Sequence, residues 1–413
     1  MVKLSAKPSN YIKDVKRNKI QLMPENWKKY SLGDLSEDIS YGYTESASKE
    51  EIGPKFLRIT DIQNDFINWN EVPYCKISEK DLIKYQVEIG DIVVARTGNS
   101  TGATSMIKNQ INAVYASYLI RYRLNKKIAV PGFIDFVLRS NSWKNYVDAI
   151  KGGSAQPGAN AKQFAAFEIN VPPLQEQKAI ASILSALDDK IELNLEMNKT
   201  LEKMAMALYK HWFVDFGPFQ EGEFVDTELG EIPKGWEVKQ LEDLLEIKYG
   251  KDHKKLKEGN IPVYGSGGIM RYVDTFLYDQ ESILIPRKGT LSNLFYLSEP
   301  FWSVDTMFYS KFRKQNFGKY IFYFLKSLDL ASMDVGSAVP SLTTELLKRI
   351  KILVPSIQEV EKFNEIVSGY FEVMESNKDE NQTLTQLRDT LLPKLISGEV
   401  RVKDIEKTLS EVL

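Results

Sequence analysis

A chain of 413 residues exceeds one ordinary hydrophobic core and predicts two or more domains. With 43% hydrophobic, 27% charged and 11% aromatic residues it is a folding chain, not a disordered one, and no apolar run is long enough to span a bilayer or reads as a signal peptide. The formal net charge of −2 announces no nucleic-acid partner, and Cys75, the single cysteine, excludes an internal disulfide, as fits the cytoplasm.

In chain order, an N-terminal arm (residues 1–20) precedes MPENWKKYSLGDL, Met23 to Leu35. Short β-rich runs follow (FLRIT, DIVVAR, SYLIRYRL), then the helical stretch GFIDFVLRSNSWKNYVDAI, with Gly and Pro as punctuation. After GSAQP and VPPLQEQ a long amphipathic helix begins. IPKGWEVKQLEDL then opens a second mixed stretch with the runs IPVYG, SILIPR and TMFYSKF, and GSAVP and VPSIQE lead into a second long helix.

The second half answers the first. MPENWKKYSLGDL matches IPKGWEVKQLEDL, DIVVARTG matches SILIPRKG, GSAQP matches GSAVP and VPPLQE matches VPSIQE. From GSA onward the offset holds at 183 residues, while earlier it drifts through insertions. Two copies point to a duplicated A–B–A′–B′ plan, not a solenoid, which normally needs three or more. The expected fold is α+β: two α/β-mixed domains, residues 21–171 and 217–354, separated by two long antiparallel coiled-coil helices in regions 172–216 and 355–413, with a pseudo-twofold internal repeat. The paired Trp27 and Trp236 are expected to anchor the two mixed cores.

The first helix has a seam at Ile180, Leu184, Leu187, Ile191, Asn194, Asn198, Leu201, Ala205, Leu208 and Trp212, stepping by fours and threes. The second repeats it, with Asn377 and Asn381 in the places of Asn194 and Asn198. A buried amide costs stability unless paired but can fix register, so these four asparagines are candidates for locking an antiparallel helix pair; the other reading leaves them solvated at the seam's edge. Each helix should run about 38 residues, roughly 57 Å. Off-seam apolar residues (Leu193, Leu195, Met197, Met204, Met206) suggest a wider face for helices of another chain.

No catalytic constellation is apparent. His211, His253 and Cys75 are too few for an ordinary zinc site, no Walker A motif occurs, and the glycines of YGSGGIM lack dinucleotide spacing. No Asn-Pro-Pro-aromatic motif of amino-methyltransferase type is present. Asp243 with Glu246-Ile247-Lys248 has a spacing seen in nuclease metal sites but common by chance, and Asp188-Asp189 reads as solvated or capping carboxylates.

Taken together, the tandem plan, ELGEIPKGW, GDIVVARTG, GSAQP, VPPLQEQ and the terminal LLPKLISGEV resemble the specificity subunits of type I restriction–modification systems over nearly the whole chain. The resemblance implies a noncatalytic subunit whose two target-recognition domains each read half of a bipartite double-stranded DNA site. The helical regions would space them and dock two modification (methyltransferase) subunits, with restriction subunits joining the larger complex. S-adenosylmethionine would belong to the methyltransferase partner, with base extrusion, and ATP and Mg to the restriction partner; none is expected in this chain, nor a membrane. Half-sites would lie about one helical turn, roughly 34 Å, apart and would differ in sequence, since the A units have diverged.

Positions for DNA contact follow from the motifs. Arg96, Thr97, Asn99, Ser100 and Thr101 lie in the polar turn RTGNSTG, with Arg287, Lys288, Thr290, Ser292 and Asn293 in its counterpart; such loops approach phosphates and Arg can take guanine bidentately, though a plain β-turn is the alternative. Lys151, Ser154 and Gln156, and Ser337 and Ser341, flank the GSA motifs, which equally could shape the strand-to-helix junction. Tyr41, Tyr43 and Lys49, and Lys251, His253 and Lys254 in the basic run KYGKDHKKLK, are candidates for phosphate contact, with a solvated loop as the alternative. For the protein partner the candidates are Pro172, Leu174, Gln175, Glu176, Pro355, Gln358 and Glu359, although Pro followed by Gln/Glu is also an ordinary helix start. Two rival readings are a coiled-coil scaffold that binds no DNA and the target-recognition chain of a different class of restriction–methylation enzyme.

Overall fold

The computed structural model describes residues 24–62, 66–152, 158–333 and 341–402. They gather into two compact units, one from residues up to 193 together with those from 380 onward, the other from 194–379. Each unit therefore combines one mixed domain with a segment of each long helix.

In the first unit a four-stranded antiparallel sheet runs in the order Ser36–Tyr41, Leu119–Leu124, Ile92–Ala95, Thr104–Met106. A parallel pair, Lys55–Leu57 with Ala113–Tyr115, and an antiparallel pair, Lys28–Ser31 with Glu168–Val171, complete it. Ile92–Ala95 is buried on both faces, which is why its sequence is a continuous apolar run and not an alternation.

The second unit repeats this order and sense. Its sheet runs Leu245–Tyr249, Met307–Phe312, Ser282–Pro286, Phe295–Leu297, beside a parallel pairing of Ile261–Gly265 with Trp302–Ser303 and an antiparallel pair, Glu237–Gln240 with Lys351–Val354. It adds a hairpin, Phe224–Thr227 with Gly230–Pro233, and a strand Gly268–Val273 alongside Ile261–Gly265. The duplication legible in short motifs is thus a duplication of topology, in the α+β class expected. Trp27 and Trp236 are buried anchors of the two cores.

After the sheet each unit places a helix against its core, Pro131–Leu138 in the first and Gly318–Ser327 in the second. In the first unit Asn141–Ile150 follows as a separate helix, because the Ser140 hydroxyl accepts from the Trp143 amide at 3.4 Å and restarts the chain there.

The long helices are Leu174–Phe213 and Ile357–Ser397, 40 and 41 residues. Within each unit their segments run antiparallel. In the first, Glu176 meets Arg401, Asp188 meets Arg388 and Lys190 meets Glu380; in the second, Asn198 meets Asn377 and the Tyr209 ring meets Phe363.

The buried stripe follows the expected seam at Ile180, Leu184, Ile191, Asn194 and Ala205 and departs from it at other positions. Asp188, Tyr209 and Phe213 are buried, whereas Leu187, Leu208 and Trp212 are half-buried. The reason is that the helix serves two neighbours near its ends. Tyr209 and Phe213 pack on Tyr320 of the mixed domain, at 5.7 and 4.8 Å between ring centroids, so the buried face is wider than a heptad strip. Asp188 corrects a second expectation. It is not solvated but 1% exposed, and it accepts from Arg139 at 2.6 Å and Arg388 at 2.9 Å. A buried carboxylate survives only when paired in this way. Of the off-seam apolar residues, Leu193, Leu195, Met197 and Met204 are exposed, while Met206 packs on the second core.

Candidate nucleic-acid interface

In both units the candidate surface begins at the end of the first sheet strand with a Tyr-Gly dipeptide, Tyr41-Gly42 and Tyr249-Gly250. A Cβ on Gly42 would overlap the carbonyl oxygen of Ala116, and one on Gly250 that of Val304, so only glycine lets the backbones approach this closely. The next amide fixes the turn. Tyr43 N donates to Tyr115 O and Lys251 N to Ser303 O, each at 2.8 Å. Tyr41 and Tyr249 are left at the surface, 41% and 51% exposed.

The polar turns come up beside these tyrosines. The Arg96 guanidinium lies 4.9 Å over the Tyr41 ring, and that of Arg287 5.5 Å over Tyr249. Both arginines are pinned on two sides by their backbone. Arg96 N donates to Tyr118 O at 3.0 Å and its carbonyl accepts from Ala159 N at 3.0 Å; Arg287 N donates to Thr306 O at 2.8 Å and its carbonyl accepts from Leu342 N at 2.9 Å. Thr97 bridges to Gly158 and Lys288 to Ser341, so each turn is docked on the segment that follows its GSA motif.

Within RTGNSTG, Gly98 adopts φ +73° and Gly102 φ +88°, the left-handed region that glycine reaches without strain. Thr101 Oγ1 donates to Gly98 O at 2.7 Å, and Trp143 Nε1 donates to Gly102 O at 2.8 Å. Asn99, Ser100 and Thr101 line one wall of a cleft of about 410 Å³ in front of Trp143 and Lys144. In the second unit Lys288, Thr290 and Ser292 are exposed, and Asn293 Nδ2 donates to Ser266 O at 2.9 Å.

The fold therefore brings Tyr41 together with Arg96 and Thr97, and Arg287 and Lys288 together with Ser341. It sends other candidates elsewhere. The Tyr43 ring packs 5.2 Å from Tyr85, and Lys151 is paired with Asp148 at 2.5 Å. Lys49, Lys251 and Lys254 are exposed and His253 is half-buried. Ser154, Gln156 and Ser337 lie outside the described residues. Tyr249 is absent from the candidates read from sequence, although the Tyr-Gly shared by SYGY and KYGK pointed to it.

Along the helices the amides turn toward the neighbouring segment. Asn377 Nδ2 donates to Asn198 Oδ1 at 2.7 Å, Asn198 Nδ2 donates to Met374 O at 3.1 Å, and in the first unit Asn381 Nδ2 donates to Ile191 O at 3.4 Å. Asn194 is fully buried. At the helix starts Pro172 and Pro355 are buried and Leu174 half-buried. Glu176 accepts from Arg401 at 2.5 and 2.8 Å, and Glu359 caps its own helix, accepting from Ser356 N at 2.7 Å. Gln175 and Gln358 are exposed.

Among the described residues no group of His, Cys, Asp and Glu is placed to hold a metal ion, and no helix is long and apolar enough to cross a membrane. Asp243 caps a helical turn by accepting from Gln240 N at 2.9 Å, Glu246 pairs with Lys248 at 2.6 Å, and the glycines of YGSGGIM form a hairpin turn.

The model of the type I restriction modification DNA specificity domain family matches residues 24–203 and 233–386, once per repeat. The chain is 27% identical to the type I restriction enzyme MjaIX specificity subunit of Methanocaldococcus jannaschii, over 95% of this chain and 98% of that protein. It is 26% identical to the type I restriction enzyme HindI specificity subunit of Haemophilus influenzae, over 91% of this chain and all of that protein. The crystal structure of the type I restriction–modification S subunit from M. genitalium matches its fold with a TM-score of 0.57 at 21% identity, covering 91% of this chain and 98% of that one.

Proposed function

The chain belongs to the type I restriction modification DNA specificity family, and from that premise we propose that it is the noncatalytic DNA-reading subunit of a type I restriction–modification complex. Each mixed domain reads one half of an asymmetric, interrupted double-stranded DNA site. The helices set the two readers apart and dock two modification subunits; restriction subunits join through the full complex. The methyltransferase partner supplies S-adenosylmethionine and the restriction partner ATP and Mg, and the assembly works in the cytoplasm, in keeping with a single free, buried cysteine.

The observation that carries this reading is the repetition of one arginine-bearing polar turn, on the same strand of the same sheet, in two domains whose surrounding sequences differ. A shared frame with unlike surfaces suits two unlike half-sites. Selection from random duplex DNA, with the modification subunit present, is expected to enrich an interrupted motif with two different halves. Recovery of no motif overturns the proposal in favour of a scaffold that binds no DNA.

A further inference from the structure

We infer that Arg96 and Arg287 each read one guanine, in their own half of the site, and that Tyr41 and Tyr249 are positioning residues that hold them for it. This rests on the DNA-specificity reading above.

Three observations converge. The pair is built twice by the same means: a strand ending in Tyr-Gly, a glycine with no room for a side chain, and an arginine pinned at its amide and its carbonyl. The matching motifs DIVVARTG and SILIPRKG carry both arginines, while the stretches between the motifs differ by insertions, so the recurrence of the pair at one place in the fold marks a shared task. Arg96 is also set apart by its partners. Every other described arginine of the first unit (Arg58, Arg121, Arg123, Arg139, Arg388, Arg401) is paired with a carboxylate, whereas Arg96 has no ion pair among the described residues and lies instead on a half-exposed ring. Arg287 has no carboxylate partner among the described residues either, a trait it shares with Arg271, Arg313 and Arg349 of its unit; what marks it is the Tyr249 ring and the bond its Nη1 donates to Asp305 O at 3.2 Å.

The geometry favours base reading over phosphate contact. A phenol ring 4.9 or 5.5 Å from the guanidinium carbon limits where the group can move and attracts its charge without neutralising it. A phosphate accepts a point charge from lysine as readily as a fork from arginine, so it does not by itself call for a positioned guanidinium. Guanine O6 and N7 need two donors in one plane at fixed spacing, which a clamped arginine presents without further ordering cost.

The test uses the complete complex with its modification subunits, and reads base preference at every position of the selected motif. A wild-type complex that selects no motif removes the function reading itself; a motif without guanine in either half removes only this inference. For R96K and R287K the expected result is a roughly 5- to 150-fold loss of preference for guanine at one position of one half-site, with the other half unchanged. Y249L should weaken the same position as R287K by less, and Y249F, which keeps the ring, should restore it. The unaltered half-site reports in each experiment that the variant is folded. Unchanged preferences, or an equal loss of affinity for all sequences, overturns the inference.

Discussion

Where the helix Pro131–Leu138 of the first unit meets the long helices the contact is a buried ionic network, and where its counterpart Gly318–Ser327 does so in the second unit the contact is mainly aromatic, with one ion pair, Lys326 to Glu202, at its edge. In the first unit Asp188 is held by Arg139 and Arg388, Asp135 lies 3.5 Å from Arg139, and Gln177 donates to the carbonyls of Ile128 and Pro172 while accepting from Val130 N. One repeat further on, Val360 stands for Gln177 and Phe371 for Asp188, while Ala205 occupies the place of Arg388. Phe322 and Lys326 answer to Asp135 and Arg139; the Phe322 and Phe371 rings lie 6.2 Å apart, with the Lys326 ammonium 5.4 Å over Phe322. Burial leaves its mark on the charges kept inside. It pushes the Asp135 carboxyl above its ordinary range against the pull of Arg139, and it lowers the Lys326 ammonium below its own.

Buried ion pairs rarely add stability over a well-packed apolar set, but removing one member strands the other in a poor solvent. Duplicated helix segments are similar enough to pair wrongly, and a charge facing an apolar partner forbids that exchange. The buried Asp188 set of the first unit is therefore expected to restrict pairing more strictly than the largely aromatic contact of the second.

The most severe break of this contrast is Asp188→Ala, which leaves Arg139 and Arg388 without their shared carboxylate. A loss of about 3–5 kcal/mol is expected. Hydrogen exchange should show it in the first unit, with protection in residues 194–379 retained; equal loss in both units would refute a local role for the set. A second variant replaces the ionic set of the first contact by apolar side chains, with D135F, R139M, D188F and R388A together. Thermal melting should then be unchanged or improved by about 1–4 kcal/mol, while half-site spacing in selected DNA becomes heterogeneous. Uniform spacing would count against a role in pairing. The mildest change is Asn198→Leu, which removes the acceptor of Asn377 Nδ2 and is expected to cost about 1 kcal/mol. A double-mutant cycle with Asn377→Leu should give a coupling clearly different from zero, and additivity would show that the amides do not act as a pair.

Much of this protein was legible in its sequence. Tandem motifs, the mixed class, the two long helices, the core tryptophans and the polar turns at Arg96 and Arg287 are all local in the chain, and local periodicity and turn chemistry survive without a fold. The approach of Arg96 to the Tyr41 ring, the membership of Tyr249 in the same arrangement, and the burial of Asp188 were decided by tertiary structure alone. Asp188 looked like a solvated carboxylate because the arginines that neutralise it arrive from 49 and 200 residues away. A charge's environment depends on what the fold brings to it, and neighbours along the chain carry no record of that.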